Sequence, residues 1–147
     1  MVDDVQAITK VVVSYVELLD RGDLEGLANV FARATVRVHG SADELRGAKA
    51  YKEFIEQGVQ FYDGVPSTKH LVSNLIVEVD DERRTATARS YYTAFQTHPE
   101  LPLQPILAGR FHDRLERDGD DWHIVDREIY ADLIGDLRFH VKGCESS

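Results

Sequence analysis

The second half of the sequence is a succession of long strand-like segments, and this feature constrains the fold most. After Pro66, four segments combine β-branched and aromatic residues with alternating character: 67–80, 85–96, 106–117 and 122–130. Turns separate them at 80–83, at a loop over 98–105 that carries three prolines, and at an Asp-Gly sequence within 118–121. We predict a meander of four strands, with the proline-containing loop at the edge of a pocket.

The first half of the sequence has the spacing of helices. Apolar residues recur every three or four positions over about 3–20, which predicts an amphipathic helix with Asp3 or Asp4 as its N-cap. Gly22 stands where a C-cap is expected, and Asp23 is placed to cap a second helix.

A third helix is predicted over about 48–58, with Tyr51, Phe54 and Ile55 facing inward. A short alternating segment at 35–39 precedes it and indicates another strand.

This order of elements indicates a single α+β domain over 1–140, followed by a polar tail over 141–147. A helical turn near 133–139 is expected to close the domain. A sheet with one face against helices must curl around them, so we expect a ligand cavity between the two layers.

The composition is that of a globular protein with an acidic excess. Charged residues make up 29% of the 147 residues, and the formal net charge is -9 at pH 7. A nucleic-acid-binding surface needs a basic stripe, so we expect no nucleic-acid partner. The apolar runs are short and the acidic start lacks the pattern of a signal peptide, which predicts no membrane segment and a cytoplasmic location.

Cysteine and histidine usage gives no pattern for a metal site. Cys144 is the single cysteine, and the six histidines show no pair at helical ligand spacing. We therefore expect neither a metal nor a cofactor. The histidines expected at the surface or at an edge are His39, His98, His112, His123 and His140.

The first long strand carries a histidine on a side that otherwise looks buried. Side chains alternate across a strand, so His70, Val72, Asn74 and Ile76 should share one face. The opposite, mostly apolar face should hold Leu71, Ser73, Leu75, Val77 and Val79. A buried polar group is costly without a partner, so His70 should contact another polar group.

Asp20 is the candidate partner of His70. It ends the first helix directly after Leu19, which belongs to the apolar side of that helix. A carboxylate that touches an imidazole fixes its tautomer and stabilises the cation formed on proton uptake. The spacing of the two residues is not itself a motif, so their contact stays open at this point.

Five segments in this order resemble SnoaL-like members of the nuclear-transport-factor-two-like superfamily. They are 15–23 (YVELLDRGD), 70–75 (HLVSNL), 86–91 (ATARSY), 109–113 (GRFHD) and 121–127 (DWHIVDR). The resemblance covers about 3–135 and is greatest to the branch of scytalone dehydratase, bile-acid dehydratase and hexachlorocyclohexane dehydrochlorinase. It implies a cone-shaped barrel in which a curved, mostly antiparallel sheet wraps around the N-terminal helices.

The resemblance also implies site residues. Enzymes of this branch use a catalytic Asp–His pair, which matches Asp20 and His70. Arg127, five residues after the strand's tryptophan, matches an arginine that assists the leaving group in the dehydrochlorinase. Tyr15, five residues before Asp20, matches the bile-acid dehydratase, and Tyr91 or Tyr92 lies near the place of a second pocket histidine in scytalone dehydratase.

The implied function is a cofactor-independent lyase or isomerase of the dehydratase type. His70, held by Asp20, would take a proton from carbon, while Arg127, Tyr15 or Tyr92 stabilises the developing anion or the departing group. The substrate is expected to be small, hydrophobic and cyclic. The residues expected to contact it are Tyr92, Asn74, Phe31, Phe54 and Phe111.

Other interpretations stay open. His70 also suits a core histidine bonded to backbone, and Arg127 suits an ion pair with Asp113 or a neighbouring acid. The whole chain also suits a non-catalytic ligand-binding or oligomerisation module, or the small subunit of a ring-hydroxylating oxygenase, which shares this fold.

The outer face of the curved sheet is expected to be covered by a second copy of the chain. Leu71, Leu75 and Val77 are the predicted contact residues, which favours a homodimer or homotrimer.

Overall fold

The computed structural model describes residues 3–144, which form three helices and one six-stranded sheet. The helices are α1 (Asp4–Arg21), α2 (Leu24–Val30) and α3 (Gly47–Gly58). The strands are β1 (Thr35–Val38), β2 (Glu44–Arg46), β3 (Thr68–Asp80), β4 (Thr85–His98), β5 (Leu101–Asp118) and β6 (Asp121–Ile134). The α+β prediction is confirmed, whereas the three-residue strand β2 carries no pattern long enough to be predicted.

The helix ends follow from local chemistry. The carboxylate of Asp3 caps α1 by accepting a hydrogen bond from a first-turn amide at 3.0 Å, and Asp23 caps α2 in the same way at 2.9 Å. Gly22 ends α1 in the left-handed conformation, with a φ of 77°, where a Cβ would overlap the carbonyl of Gly64. The predicted caps are therefore confirmed. None of the helices within residues 3–144 is long and apolar enough to cross a membrane.

The sheet has the strand order β2-β1-β6-β5-β4-β3. Strands β3 to β6 form the predicted antiparallel meander, and β1 joins β6 as a parallel neighbour. The long strands carry bulges that increase twist, so the sheet curls around α1 without closing. The apolar side of α1 fills the hollow with Ile8, Val12, Tyr15 and Leu19, all buried.

The proline-containing segment was predicted as a loop, and this is wrong. Strand β5 begins at Leu101, so only Pro99 and Glu100 form the turn after β4. Register shifts in the β4–β5 pairing accommodate Pro102 and Pro105, because a bulged strand tolerates residues that lack an N–H donor.

The end of the described chain also differs from the prediction. Strand β6 runs on to Ile134, so no helix begins at 133. A single turn follows, in which the amides of His140 and Val141 donate to the carbonyl of Leu137 at 3.1 and 3.0 Å. The last three residues of the predicted tail, 145–147, lie outside the described residues.

A bulge in β3 reverses the predicted faces of the strand. Asn74 has a φ of 52°, and the pairing with β4 shifts between Ser73 and Ile76. His70 and Val72 face the core as predicted, but beyond the bulge the core-facing side chains are Leu75, Val77 and Val79. Ile76 points outward, 45% exposed, as does Leu71 at 54%. Leu71 therefore lies on the outer face, as predicted for a contact residue. The same prediction is wrong for Leu75 and Val77, which pack against the core.

Candidate active site

The C-terminal end of α1 meets the first residues of β3, and this contact brings Asp20 to His70. The Nδ1 atom of His70 lies 2.6 Å from Asp20 Oδ1. The backbone N–H of His70 donates to Asp20 Oδ2 at 2.8 Å, and the hydroxyl of Thr68 donates to Oδ1 at 2.8 Å. Both carboxylate oxygens are therefore held, which fixes the orientation of the imidazole.

Both side chains of this pair are nearly buried, with 6% of His70 and 10% of Asp20 exposed. Burial raises the pKa of Asp20, but hydrogen bonds from the ring and backbone of His70, its charge and the Thr68 hydroxyl outweigh this effect and lower the pKa below its ordinary value. Asp20 is thus a carboxylate at neutral pH. Its contact with Nδ1 leaves Nε2 of His70 as the nitrogen able to take a proton.

His70 lines a cavity of about 370 Å³ between the concave face of the sheet, α1 and α3. This volume lies within the range of small-ligand sites. The walls are predominantly apolar, with Leu19, Val38, Phe54, Ile55, Val59, Leu107, Phe111, Ile129, Ala131 and Val141. The polar side chains in the wall are Tyr15, Tyr51, His70, Tyr92, Arg127 and His140.

Arg127 is fully buried in this wall and is held by Asp113. Its Nε and Nη2 donate to the two oxygens of Asp113 at 2.7 and 2.9 Å. The guanidinium also packs 4.1 Å from the ring centre of Phe111 and 4.7 Å from that of Tyr15. Its Nη1 is buried and has no hydrogen-bond partner among residues 3–144. One nitrogen of the permanently charged Arg127 guanidinium therefore makes no hydrogen bond to these residues, although it can donate one.

Burial lowers the pKa of Arg127, but the charge of Asp113 and its hydrogen bonds outweigh this, so the pKa is raised overall. Burial raises the pKa of Tyr15 well above its ordinary value and the pKa of Tyr51 to about 12. Both phenols therefore stay protonated at neutral pH and can act as hydrogen-bond donors.

The aromatic residues predicted to bind substrate take different positions. Phe111 and Tyr92 line the cavity and stack 4.4 Å apart, and the Tyr92 hydroxyl donates to the carbonyl of Tyr130 at 2.9 Å. Phe54 lines the cavity but is 40% exposed rather than inward. Phe31 is fully buried behind the wall, where its ring packs 4.2 Å from that of Tyr51.

Asn74 does not reach the cavity. It sits at the β3 bulge and borders a hollow on the outer face of the sheet with Arg89, Arg110 and His112. The alternation that put Asn74 beside His70 fails because the bulge begins at this residue.

The sequence did not indicate that Tyr51 and His140 line the cavity. Tyr51 was expected to face inward, but nothing in its spacing distinguished a cavity wall from a packed core. His140 was expected at the surface or at an edge and is instead 6% exposed, with its ring centre 6.2 Å from that of His70. Burial and the charge of His70 lower the pKa of His140 to about 4, although Asp20 opposes this shift. Its segment has no periodicity that could have signalled burial.

Within residues 3–144, no three His, Cys, Asp or Glu side chains are grouped to hold a metal ion. The polar side chains of the cavity wall can supply hydrogen bonding, charge stabilisation and proton transfer.

The profile of the SnoaL-like domain matches residues 1–128. The chain belongs to the SnoaL-like family. No curated protein matches the sequence.

Solved structures of this fold are similar to the SnoaL-like chain over most of its length. One is an NTF2-like protein with a cystatin-like fold from Novosphingobium aromaticivorans, with a TM-score of 0.72, 22% identity and coverage of 87% of this chain and 81% of that one. A second is a protein from the same organism, provisionally named scytalone dehydratase. Its TM-score is 0.68 and its identity is 24%, with coverage of 88% of this chain and 85% of that one. A third is the beta subunit of a provisionally named aromatic-ring-hydroxylating dioxygenase, also from this organism. Its TM-score is 0.70 and its identity is 16%, with coverage of 92% of this chain and 94% of that one. At these identities the similarity shows the fold alone.

Proposed function

We propose that the protein is a cofactor-independent lyase or isomerase that removes a proton from carbon in a small, hydrophobic, cyclic substrate. The observation that carries the proposal is the 2.6 Å contact between Asp20 and His70 at the wall of an apolar cavity. A histidine held in one tautomer by a buried carboxylate can act as a general base.

The base in this proposal is Nε2 of His70. It takes a proton from the carbon next to a carbonyl, and Asp20 stabilises the imidazolium that forms. Negative charge then develops on the carbonyl oxygen. Arg127 donates through Nη1, which has no partner among residues 3–144, and the neutral hydroxyl of Tyr15 is the second donor to this oxyanion.

The proton on His70 then has two destinations, and they separate the two reaction types. Return to a different carbon of the enolate shifts a double bond, which is isomerisation. Transfer to a leaving hydroxide releases water and gives an alkene, which is dehydration. Neither reaction changes the oxidation state of the substrate as a whole.

The nature of the wall supports an apolar ring as the body of the substrate. Apolar and aromatic side chains form most of the lining, and the stacked rings of Tyr92 and Phe111 offer a flat surface. A free charge on the substrate would be desolvated there, so one oxygen function aimed at Arg127 suits this wall better.

Proton exchange tests the proposal without knowledge of the natural substrate. The cyclic ketone 2-decalone is incubated with the protein in D2O, and loss of the protons next to its carbonyl is followed by NMR. We expect His70→Ala to slow the exchange by at least about 100-fold and Asp20→Asn to slow it by at least about 10-fold. His112→Ala, on the exposed outer face, is the matched control.

Exchange no faster than in buffer, or equal exchange by wild type and both site variants, would reject the proposed base. Binding of 2-decalone without exchange would instead favour the second candidate, a non-catalytic ligand-binding protein. That candidate draws on the same apolar cavity. Co-purification with a larger, iron-containing chain would favour the oxygenase-subunit alternative.

We also propose that the protein forms a homodimer or homotrimer through the outer face of the sheet. Leu71, Ile76 and Tyr91 are each 45–54% exposed there. Light scattering of wild type and of Tyr91→Lys tests this, since a monomeric wild type at micromolar concentration would contradict it.

A further inference from the structure

We infer that Thr68 is a positioning residue of the proposed active site, because its hydroxyl holds the carboxylate of Asp20 in the orientation that fixes the tautomer of His70. The inference rests on the proposed function, since this orientation affects catalysis only if His70 is the base. Thr68 acts through Asp20 and not on the substrate.

The carboxylate of Asp20 accepts three hydrogen bonds from the start of β3. The ring of His70 and the hydroxyl of Thr68 share its Oδ1, at 2.6 and 2.8 Å, whereas the backbone N–H of His70 donates to Oδ2 at 2.8 Å. Among residues 3–144, Thr68 is therefore the donor to Oδ1 that is independent of the imidazole.

An independent donor matters because the last torsion of an aspartate side chain is soft. The backbone contact at Oδ2 fixes one end of the carboxylate of Asp20. The imidazole cannot fix the other end, because it is the group that the carboxylate has to orient. The hydroxyl of Thr68 is joined to the strand by a stiff, β-branched side chain, so it supplies the second fixed point.

The local fold keeps Thr68 at this place. Side chains two positions apart in a strand share a face, so Thr68 and His70 both reach the end of α1. Thr68 pairs with Gln96 of β4, whose side chain donates to the carbonyl two residues before Thr68 at 3.2 Å. The hydroxyl of Ser67 donates to the carbonyl of Thr97 at 2.8 Å. The chain that leads into β3 is thus tied to β4, and Thr68 is buried with 8% of its surface exposed.

Thr68 is not one of the residues among 3–144 that line the cavity. Removal of its hydroxyl should therefore leave the affinity for a ligand unchanged and alter the orientation of Asp20. The effect should appear in kcat and not in KM. A threonine that only satisfied a buried carboxylate would affect stability without producing this difference.

Substitution of Thr68 tests the inference in the exchange assay with 2-decalone in D2O. Thr68→Val removes the hydroxyl and keeps the shape of the side chain, so kcat should fall about 10-fold while KM stays within about twofold of wild type. Thr68→Ala, which places no methyl group against the carboxylate, should behave as Thr68→Val does. Thr68→Ser restores the hydroxyl and should recover most of the lost kcat. Thr87→Val and Thr87→Ser, at an exposed position of β4, are the matched controls.

Three kinetic results would overturn the inference. They are an unchanged kcat in the variants without the hydroxyl, an equal fall in Thr68→Ser, and a rise in KM with an unchanged kcat. Failure of the proposed function is recognised separately, by exchange in wild type that is no faster than in buffer or does not depend on His70.

The ring nitrogens of His70 give a readout that needs no substrate. They are followed by NMR in isotope-labelled protein at about pH 9, where an ordinary histidine is neutral, and are assigned by their loss in His70→Ala. The tautomer held by Asp20 carries its proton on Nδ1, so the two nitrogen shifts of wild type should be widely separated.

Loss of the Thr68 hydroxyl should bring these two shifts closer together, because both tautomers are then populated. Thr68→Ser should keep the shifts apart. Shifts in Thr68→Val and Thr68→Ala that equal those of wild type, or mixed tautomers in wild type itself, would overturn the inference even in a protein that catalyses no exchange.

Discussion

Asp113 lies directly opposite Arg127 in the β5–β6 register, and the two side chains form a two-point ion pair that is shielded from solvent. The pair explains how a cation can stand in an apolar wall, since the carboxylate balances its charge and fixes its plane.

Replacing one member of the Asp113–Arg127 pair should destabilise the protein far more than replacing both members. Asp113→Asn leaves an uncompensated buried cation, so we expect a loss of about 3–5 kcal/mol in the free energy of unfolding, measured by urea denaturation. The double variant Asp113→Leu with Arg127→Met should recover much of the lost free energy of unfolding. A single variant as stable as wild type would contradict the burial of the pair.

The stability of the protein should fall as pH drops from about 6.5 to about 4. The pKa of His140 is lowered to about 4 in the folded state, from an ordinary value near 6.5, so the unfolded chain takes up a proton that the folded chain refuses. This group can contribute a loss of roughly 3 kcal/mol over that window. The groups that face it are His70 and Asp20.

Denaturation curves at several pH values check this expectation. In His140→Gln the loss between pH 6.5 and 4 should be smaller than in wild type. The lowered pKa of Asp20 adds a loss at still lower pH, as that carboxylate is protonated, and should remain in the variant. An identical pH dependence in both proteins would contradict a buried, neutral His140.

Gly109 should be intolerant of any side chain. A Cβ there would overlap the carbonyl of Tyr130 and press on the ring of Tyr92, whose hydroxyl donates to that same carbonyl. We expect Gly109→Ala to cost about 1–3 kcal/mol and to displace the cavity wall formed by Tyr92. Gly58→Ala, where nothing lies within 4 Å of the added atom, should be close to neutral in the same thermal melts.

The bulge in β3 should depend on the left-handed conformation of Asn74. Asparagine tolerates a φ of 52° better than most residues, and glycine tolerates it freely. We expect Asn74→Ala to lower the free energy of unfolding by about 1 kcal/mol and Asn74→Gly to leave it nearly unchanged. Equal effects of the two substitutions in urea denaturation would mean that the strain lies elsewhere.

The local elements were predictable because their signals are local. The helical period of α1, its caps at Asp3 and Gly22, and the alternation of the long strands all arise from neighbouring residues. The family resemblance added the pairing of Asp20 with His70, which no local pattern contains, and the structure brings these two residues into contact.

The features that were missed depend on contacts distant in the sequence. One extra residue at Asn74 reverses a strand's faces, and this shift is set by the pairing with β4 rather than by composition. His140 is buried because Gln60, Tyr62 and Gln96 hold its turn, and these donors lie 44 to 80 positions earlier in the chain.

The carboxylate of Asp20 joins two elements that are far apart in the chain, since it accepts from both the backbone and the ring of a β3 residue. The base therefore exists only once α1 has docked onto the sheet. In a refolding experiment, recovery of proton exchange would report the arrival of that helix, and should lag behind any signal that follows strand formation alone.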